Sequence, residues 1–269
     1  MSFASKLSAG LLAAACVCQL TAAEVLTIKE PTDFMTPKRV RKTDDGISVK
    51  GAHFQLLSVK TLTPDPAKKY RLSGEFRLNA GEESGDIYLG FAPLDAEGKP
   101  ISPVTVNPFA KTDTVVAKAA AAGDTVIYVK DASKWNMKAP HGHIVFNTKE
   151  DLSDLPNRDY AAVPKGSIKQ SGDVWEITLK SPLKKDIAEG TSVRQHNSGA
   201  AYIYLVPGKK VSPEWQTFSG EISGAVATMG IYSKKLWRGT ASVRILIMML
   251  KGHKDNVIEF RNVKAEEVE

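Results

Sequence analysis

Short runs of β-branched and aromatic residues, each closed by Gly, Pro or Asn/Asp, follow one another from residue 24 to the end of the chain. They include EVLTIK, GISVKG, HFQLLSVK, YRLSGEFRL, DIYLGFAPL and SPVTV. TVIYV, HIVF, VWEITL, TSVRQ, AYIYLV, QTFSGEI, ASVRILIMML and NVIEFRNVK follow. Asp45-Gly46, the DAEGKP segment and Ser171-Gly172-Asp173 supply the turns between them. Helical periodicity is nearly absent, and the one Ala-rich run, AKAAAAGDT, stops at Gly123 after about one or two turns. Strand runs recurring at roughly 8–12-residue spacing specify an all-β sandwich or barrel.

Alternation within the runs assigns faces. In AYIYLV, Ile203 and Leu205 point one way while Tyr202 and Tyr204 point the other. In DIYLGFAP, Ile87, Leu89 and Phe91 share a face opposite Tyr88. SVRILIMML is apolar on both faces apart from Arg244, which suits a central strand covered on both sides.

The runs fall into two styles. Residues 24–111 and 199–269 carry long strands, whereas residues 112–198 carry shorter ones with tight turns of their own. An insertion into a surface connection costs little loop entropy. The expected organisation is therefore a β-sandwich from 24–111 and 199–269, with a small β-rich module, 112–198, inserted into it.

The N-terminus reads separately. Lys6, the apolar run LSAGLLAAACVCQL and the small residues Thr21-Ala22-Ala23 form a secretory signal peptide over residues 1–23. Cleavage there removes Cys16 and Cys18, the only cysteines, so the exported chain holds no disulfide and no thiol chemistry. The expected location is periplasmic, cell-surface or extracellular. No later apolar run reaches membrane-spanning length, which argues against membrane insertion. The net charge of +6 is spread as lysines among nearly as many acids, a pattern that does not suit nucleic acid.

Three stretches of the outer unit bear a resemblance. LTPDPAKKYRLSGEFRL resembles the L-x-P-G-K-x-Y-x-L-S-G-x-x-R stretch of jelly-roll carbohydrate-binding modules of the galactose-binding-like type. EWQTFSGEISG is similar to their W-x-x-F-S-G strand, and the segment from ASVRILIMML to EFRNVKAEE is similar to their closing strands. The resemblance implies a jelly-roll β-sandwich and binding of a poly- or oligosaccharide, with Tyr70, Trp215 and Phe260 as core residues. It also implies a structural calcium near the closing motif, but Arg261-Asn262 stand where the family usually has an acid. Residues 112–198 resemble short β modules with A-G-x-T-x-I-x-V-x-D-A-S-x-F and L-x-S-P-L patterns, found as appendages of extracellular and phage-associated proteins. That likeness implies a presenting role for the insert.

The candidate ligand residues follow from sugar chemistry. Hydroxyl groups need planar polar partners and a pyranose C–H face needs an aromatic ring. Asp154, Asn157, Arg158, Asp159 and Tyr160 supply such a set in the 150–160 loop; Tyr232, Trp237 and Arg238 supply a second in the YSKKLWRG turn. Tyr202 and Tyr204 supply a sheet face. Asp151, Asp154 and Asp159, with Asn157, suit a calcium ion, but Lys149 and Arg158 oppose excess negative charge, and a solvated loop with internal Asx turns accounts for the same residues and is preferred. His141 and His143 share one face of a strand but lack further ligands in sequence. No G-x-S-x-G elbow, P-loop or dinucleotide turn is present. The expectation is a non-catalytic, secreted glycan-binding protein without a cofactor, with a structural calcium and paired-carboxylate glycan chemistry left as minor readings; the alternative is an extracellular structural protein that uses the sandwich for contacts with a protein partner.

Overall fold

The computed structural model describes residues 23–226, 231 and 234–269. The segment expected to be a signal peptide, apart from Ala23, lies outside the described residues, as does Tyr232. The first part of the chain forms β1 (Ala23–Ile28), β2 (Val40–Lys42), β3 (Ile47–Lys50), β4 (Phe54–Leu57), β5 (Lys69–Ala80) and β6 (Asp86–Leu94). Then come β7 (Thr114–Lys118), β8 (Val126–Val129), β9 (Gly142–Phe146), β10 (Tyr160–Val163), β11 (Ile168–Ser171), β12 (Val174–Thr178) and β13 (Ser192–Asn197). The chain closes with β14 (Ile203–Lys209), β15 (Gln216–Ser223), β16 (Ser242–Leu250) and β17 (Val257–Val268).

The molecule is an all-β, antiparallel sandwich. One sheet runs β15-β5-β17-β3-β2, with β1 also on β17; the facing sheet runs β14-β6-β16-β4. Their inner faces meet in one core that includes Leu72, Phe76, Ile258 and Phe260 from the first sheet and Ile87, Leu89, Phe91, Ile245 and Ile247 from the second. The alternation read in DIYLGFAP and AYIYLV is the alternation observed: Ile87, Leu89, Phe91, Ile203 and Leu205 are buried and Tyr88 and Tyr204 are half-buried on the other face. β16 is central, and Leu246 and Met248 on its outer face are buried as well. At Gly90 the neighbouring strand passes so close that a Cβ would stand 2.3 Å from the Ile203 carbonyl oxygen. β6 and β14 thus pair only because that residue has no side chain.

Strands β7–β13 pair only with one another, in the order β10-β9-β13-β7-β8-β12-β11. They enclose a separate core of Val116, Ile127, Val129, Trp135, Ile144, Phe146, Ile177, Leu183, Ile187 and Val193, among others. The Lys180 N–H reaches the Ala162 carbonyl at 2.8 Å and curls the far end of the sheet back towards β10. Entering and leaving chains pair at the neck, where Phe109 N–H bonds Gln195 O at 2.9 Å and Asn197 N–H bonds Asn107 O at 3.0 Å.

Two local expectations fail. SPVTV is not a strand: Pro103–Thr105 form a 3-10 turn, because proline withholds a ladder donor and fits the first turn of a helix. The Ala-rich run forms no helix; Thr114–Lys118 is strand and Ala120 bridges Ile187, since pairing within the module outweighs the helix preference of a few alanines. Among the described residues no helix is long and apolar enough to cross a membrane.

Candidate functional site

The 150–160 loop is anchored from below. Asp154 is almost fully enclosed, with 5% of its side chain exposed, and pairs with Arg194 Nη2 at 3.0 Å, whose own side chain is 2% exposed. Arg194 also donates from Nε to His196 Nε2 at 3.1 Å and from Nη1 to the Lys149 carbonyl at 3.2 Å. An arginine has only donors, so His196 Nε2 accepts and its Nδ1–H donates to Val104 O at 2.7 Å. Burial, opposed by that hydrogen bond and reinforced by the Arg194 charge, lowers the His196 pKa to about 4. Asn157 is buried: its amide donates to Phe146 O at 2.9 Å and to Asp154 Oδ2 at 3.0 Å, and its Oδ1 accepts the Asp159 N–H at 2.9 Å. Leu155 joins the core of the main sandwich.

This overturns the placing of Asp154 and Asn157 in a ligand-contacting set. Their polar atoms are consumed in holding the loop, as buried polar groups must be. Trp237 requires a similar correction. It is 1% exposed, lies in the main core and donates from Nε1 to Ile231 O at 3.3 Å, so its ring offers no face to a sugar. Arg238 is half-exposed. The two predicted groups do meet, but through packing: the Cα of Gly239 lies so near Pro156 that a Cβ would stand 2.5 Å from its Cδ.

Arg158, Asp159 and Tyr160 emerge from the anchored loop into a cleft of about 670 Å³. β10 forms one wall, registered on β9 by Tyr160 opposite Val145 and by a 2.8 Å bond from the Phe146 N–H to Asp159 O. The opposite wall is the segment after β12, where Ser181-Pro182 ends strand pairing and Leu183 and Ile187 turn into the module core. Buried Phe146, Leu183 and Ile187 give the cleft apolar surface, while Arg158, Asp159, Ser181, Lys184 and Lys185 give it polar groups. Tyr160 is 41% exposed and meets His143 edge-on at 5.4 Å between ring centroids. Burial, opposed by the hydrogen bond to the His141 carbonyl, lowers the His143 pKa and favours the neutral form of the ring beside Tyr160. Arg158 Nη2 is tied to Asp95 Oδ2 at 2.7 Å and Pro100 O at 3.1 Å, both in the main sandwich.

Tyr202 and Tyr204 lie elsewhere, on the outer face of the four-stranded sheet. Tyr204 contacts Tyr88 at 5.1 Å and Tyr202 at 6.2 Å between centroids, and burial raises both predicted phenols' pKa values. Reading along the chain did not single out two residues that the geometry brings forward. Lys184 and Lys185 were passed over within a turn-like corner, and only the fold puts them across from Tyr160. Trp215 is a half-exposed residue rather than a core one, with Arg77 and Arg261 guanidinium carbons 4.5 and 4.2 Å from its ring. The alternation of β15 held that signal: Ile222 faces inward, and Trp215, an odd number of positions away, must face out. Tyr70 and Phe260 are buried.

Arg261 and Asn262, at the closing motif, both donate to Glu75, at 2.7 and 2.8 Å, and together hold its carboxyl below the usual range, Asn262 first. Among the described residues no group of three or more His, Cys, Asp or Glu side chains is arranged to hold a metal ion. Asp159 is the carboxylate that lines the cleft. Comparison with protein-family models, curated proteins and solved structures finds no match for this chain.

Proposed function

We propose that this protein is a non-catalytic saccharide-binding protein, exported by its N-terminal segment, that takes a glycan into the cleft of the inserted module. The observation that carries this reading is the combination in one 670 Å³ cleft of an exposed aromatic ring, apolar wall surface and convergent charged side chains. Tyr160 offers a face for stacking, and Arg158, Asp159 and Lys185 offer hydrogen bonds to ring substituents. The volume falls within the range of sites for small ligands. The likeness of the outer segments to galactose-binding-like carbohydrate-binding modules supports the same reading, although an architecture of this kind serves many ligands.

The test is glycan-array binding of the purified chain beside Tyr160→Ala and Arg158→Ala, with and without EDTA. Binding that is lost in both variants and unchanged by EDTA is the expected result. Binding that survives both substitutions would move the site away from the cleft, towards the Tyr88–Tyr202–Tyr204 face. Loss with EDTA alone would bring calcium back as the organising element.

A further inference from the structure

The donor and acceptor inventory of the cleft is lopsided. Lysine and arginine side chains carry donors and no acceptor. Three of them, Arg158, Lys184 and Lys185, line the cleft against a single carboxylate, Asp159. That carboxylate is already engaged, its Oδ2 taking Lys185 Nζ at 2.7 Å and Asn147 Nδ2 at 2.7 Å. Asp186, the residue after Lys185, turns away and accepts the Ala122 N–H at 2.8 Å. Even with Asp95 set against Arg158, the cleft keeps a surplus of positive charge on Lys184. A neutral sugar brings hydroxyls that need acceptors as well as donors, and this cleft has few acceptors to give.

We infer that the cleft selects an anionic saccharide, one whose carboxylate or sulfate groups meet Lys184, Lys185 and Arg158 while a ring face lies on Tyr160. This rests on the saccharide reading above and narrows it to a chemical class. The neck and loop geometry supports the assignment: Arg158 is held by Asp95 and Pro100 on one nitrogen, which leaves its other donors fixed in direction rather than swinging in solvent. The Arg158 and Lys185 side chains are 39% and 57% exposed, so their charge-assisted bonds to an anionic group form at the solvent edge of the cleft and respond to salt.

The experiment is calorimetric titration of the full chain with four probes of matched length: an oligouronate, a sulfated oligosaccharide, a neutral oligosaccharide and oligoglutamate. Each is run at low and at raised salt, with wild type, Lys184→Gln/Lys185→Gln and Tyr160→Ala. The inference predicts that the oligouronate or the sulfated oligosaccharide binds on the order of tenfold or more tightly than the neutral probe. That advantage should vanish in the double lysine variant and shrink as salt screens the charges. Whichever of the two acidic saccharides carries the effect identifies the anionic group. Equal binding of the neutral probe, dependent on Tyr160, would overturn the inference and leave the saccharide reading standing. Oligoglutamate binding as tightly as the acidic saccharides, and indifferent to Tyr160→Ala, would show simple ion exchange and overturn both. Absence of binding by every probe, or binding unchanged in all variants, would also overturn both.

Discussion

Replacing Asp154 with Ala tests how the cleft is held. Arg194 would keep its charge in an almost closed site and lose the one buried carboxylate that faces it. Removing one partner of a buried ion pair costs about 3–5 kcal/mol, because the other charge stays desolvated. Here Nη1 still reaches the Lys149 carbonyl at 3.2 Å and Asp113 Oδ1 at 3.4 Å, and Asp113 is well exposed. Those contacts put the expected loss at the low end, about 3 kcal/mol. The Lys149 N–H and one of the two Asn157 amide bonds lose their acceptor as well, which argues against a smaller figure. In a chain of this size that corresponds to a fall in Tm of about 6–12 °C. Urea unfolding followed by tryptophan fluorescence is the assay, since Trp135 and Trp175 sit in or against the module core. Glu221→Ala is the control: it breaks a solvent-exposed pair with Arg71 and should cost about 1 kcal/mol or less. If Asp154→Ala costs no more than the control, Arg194 is being neutralised by something other than Asp154, and the account of the anchored loop is wrong.

His196 makes stability depend on acidity. Its folded pKa of about 4 lies below the ordinary value of about 6.5, so the unfolded chain takes up the proton first. Stability should be unaffected above about pH 6.5, fall as the pH drops below it and level off below about pH 4, by about 3 kcal/mol in all. Urea titrations across that window should show the slope in wild type and lose most of it in His196→Gln. Trp237→Ala should cost about 3–5 kcal/mol by the same assay, since it empties a core position rather than a binding surface. Trp237→Phe, which keeps most of the packing, should bind every glycan that wild type binds. Gly90→Ala should abolish or severely weaken folding, because the added carbon meets a backbone oxygen that cannot move without parting β6 from β14; a variant with wild-type unfolding would contradict that packing.

The strand content was legible because its signal is local. Period-two alternation fixes which side of DIYLGFAP or AYIYLV is apolar, and burial follows from that. Short edge elements were not legible: Val40–Lys42 and Ile168–Ser171 carry little apolar patterning and exist because a neighbour offers them a ladder. The lining of the candidate cleft was legible in part. Arg158, Asp159 and Tyr160 share one cleft, but nothing in NRDY separates them from Asp154 and Asn157 a few residues earlier. That distinction depends on Arg194, forty residues downstream, whose buried charge requires a carboxylate and draws Asp154 inward. Trp237 misled for a related reason. A tryptophan among lysines reads as exposed, yet a turn that closes over a sandwich end drives its largest ring into the core and leaves the lysines in water.

The cleft belongs to the inserted strands, but its working geometry is set from both sides of the neck. Tyr160 is positioned by β9 and His143, within the module. Arg158 is positioned by Asp95 and Pro100, within the main sandwich, and the loop that carries both is fixed there by Leu155 and by the Asn157 N–H on Thr105 O at 2.9 Å. His196 adds a third tie, from β13 to Val104. The bonds from Asn157 N–H to Thr105 and from His196 to Val104 pair buried polar groups, and Arg158 pairs the buried Asp95, so separating the two units would cost both of them these partners. The insertion is therefore more than an appendage hung from a surface loop. In the proposed site the sandwich is the base that holds Arg158 in one direction, and the module supplies the aromatic ring and the lysines beside it.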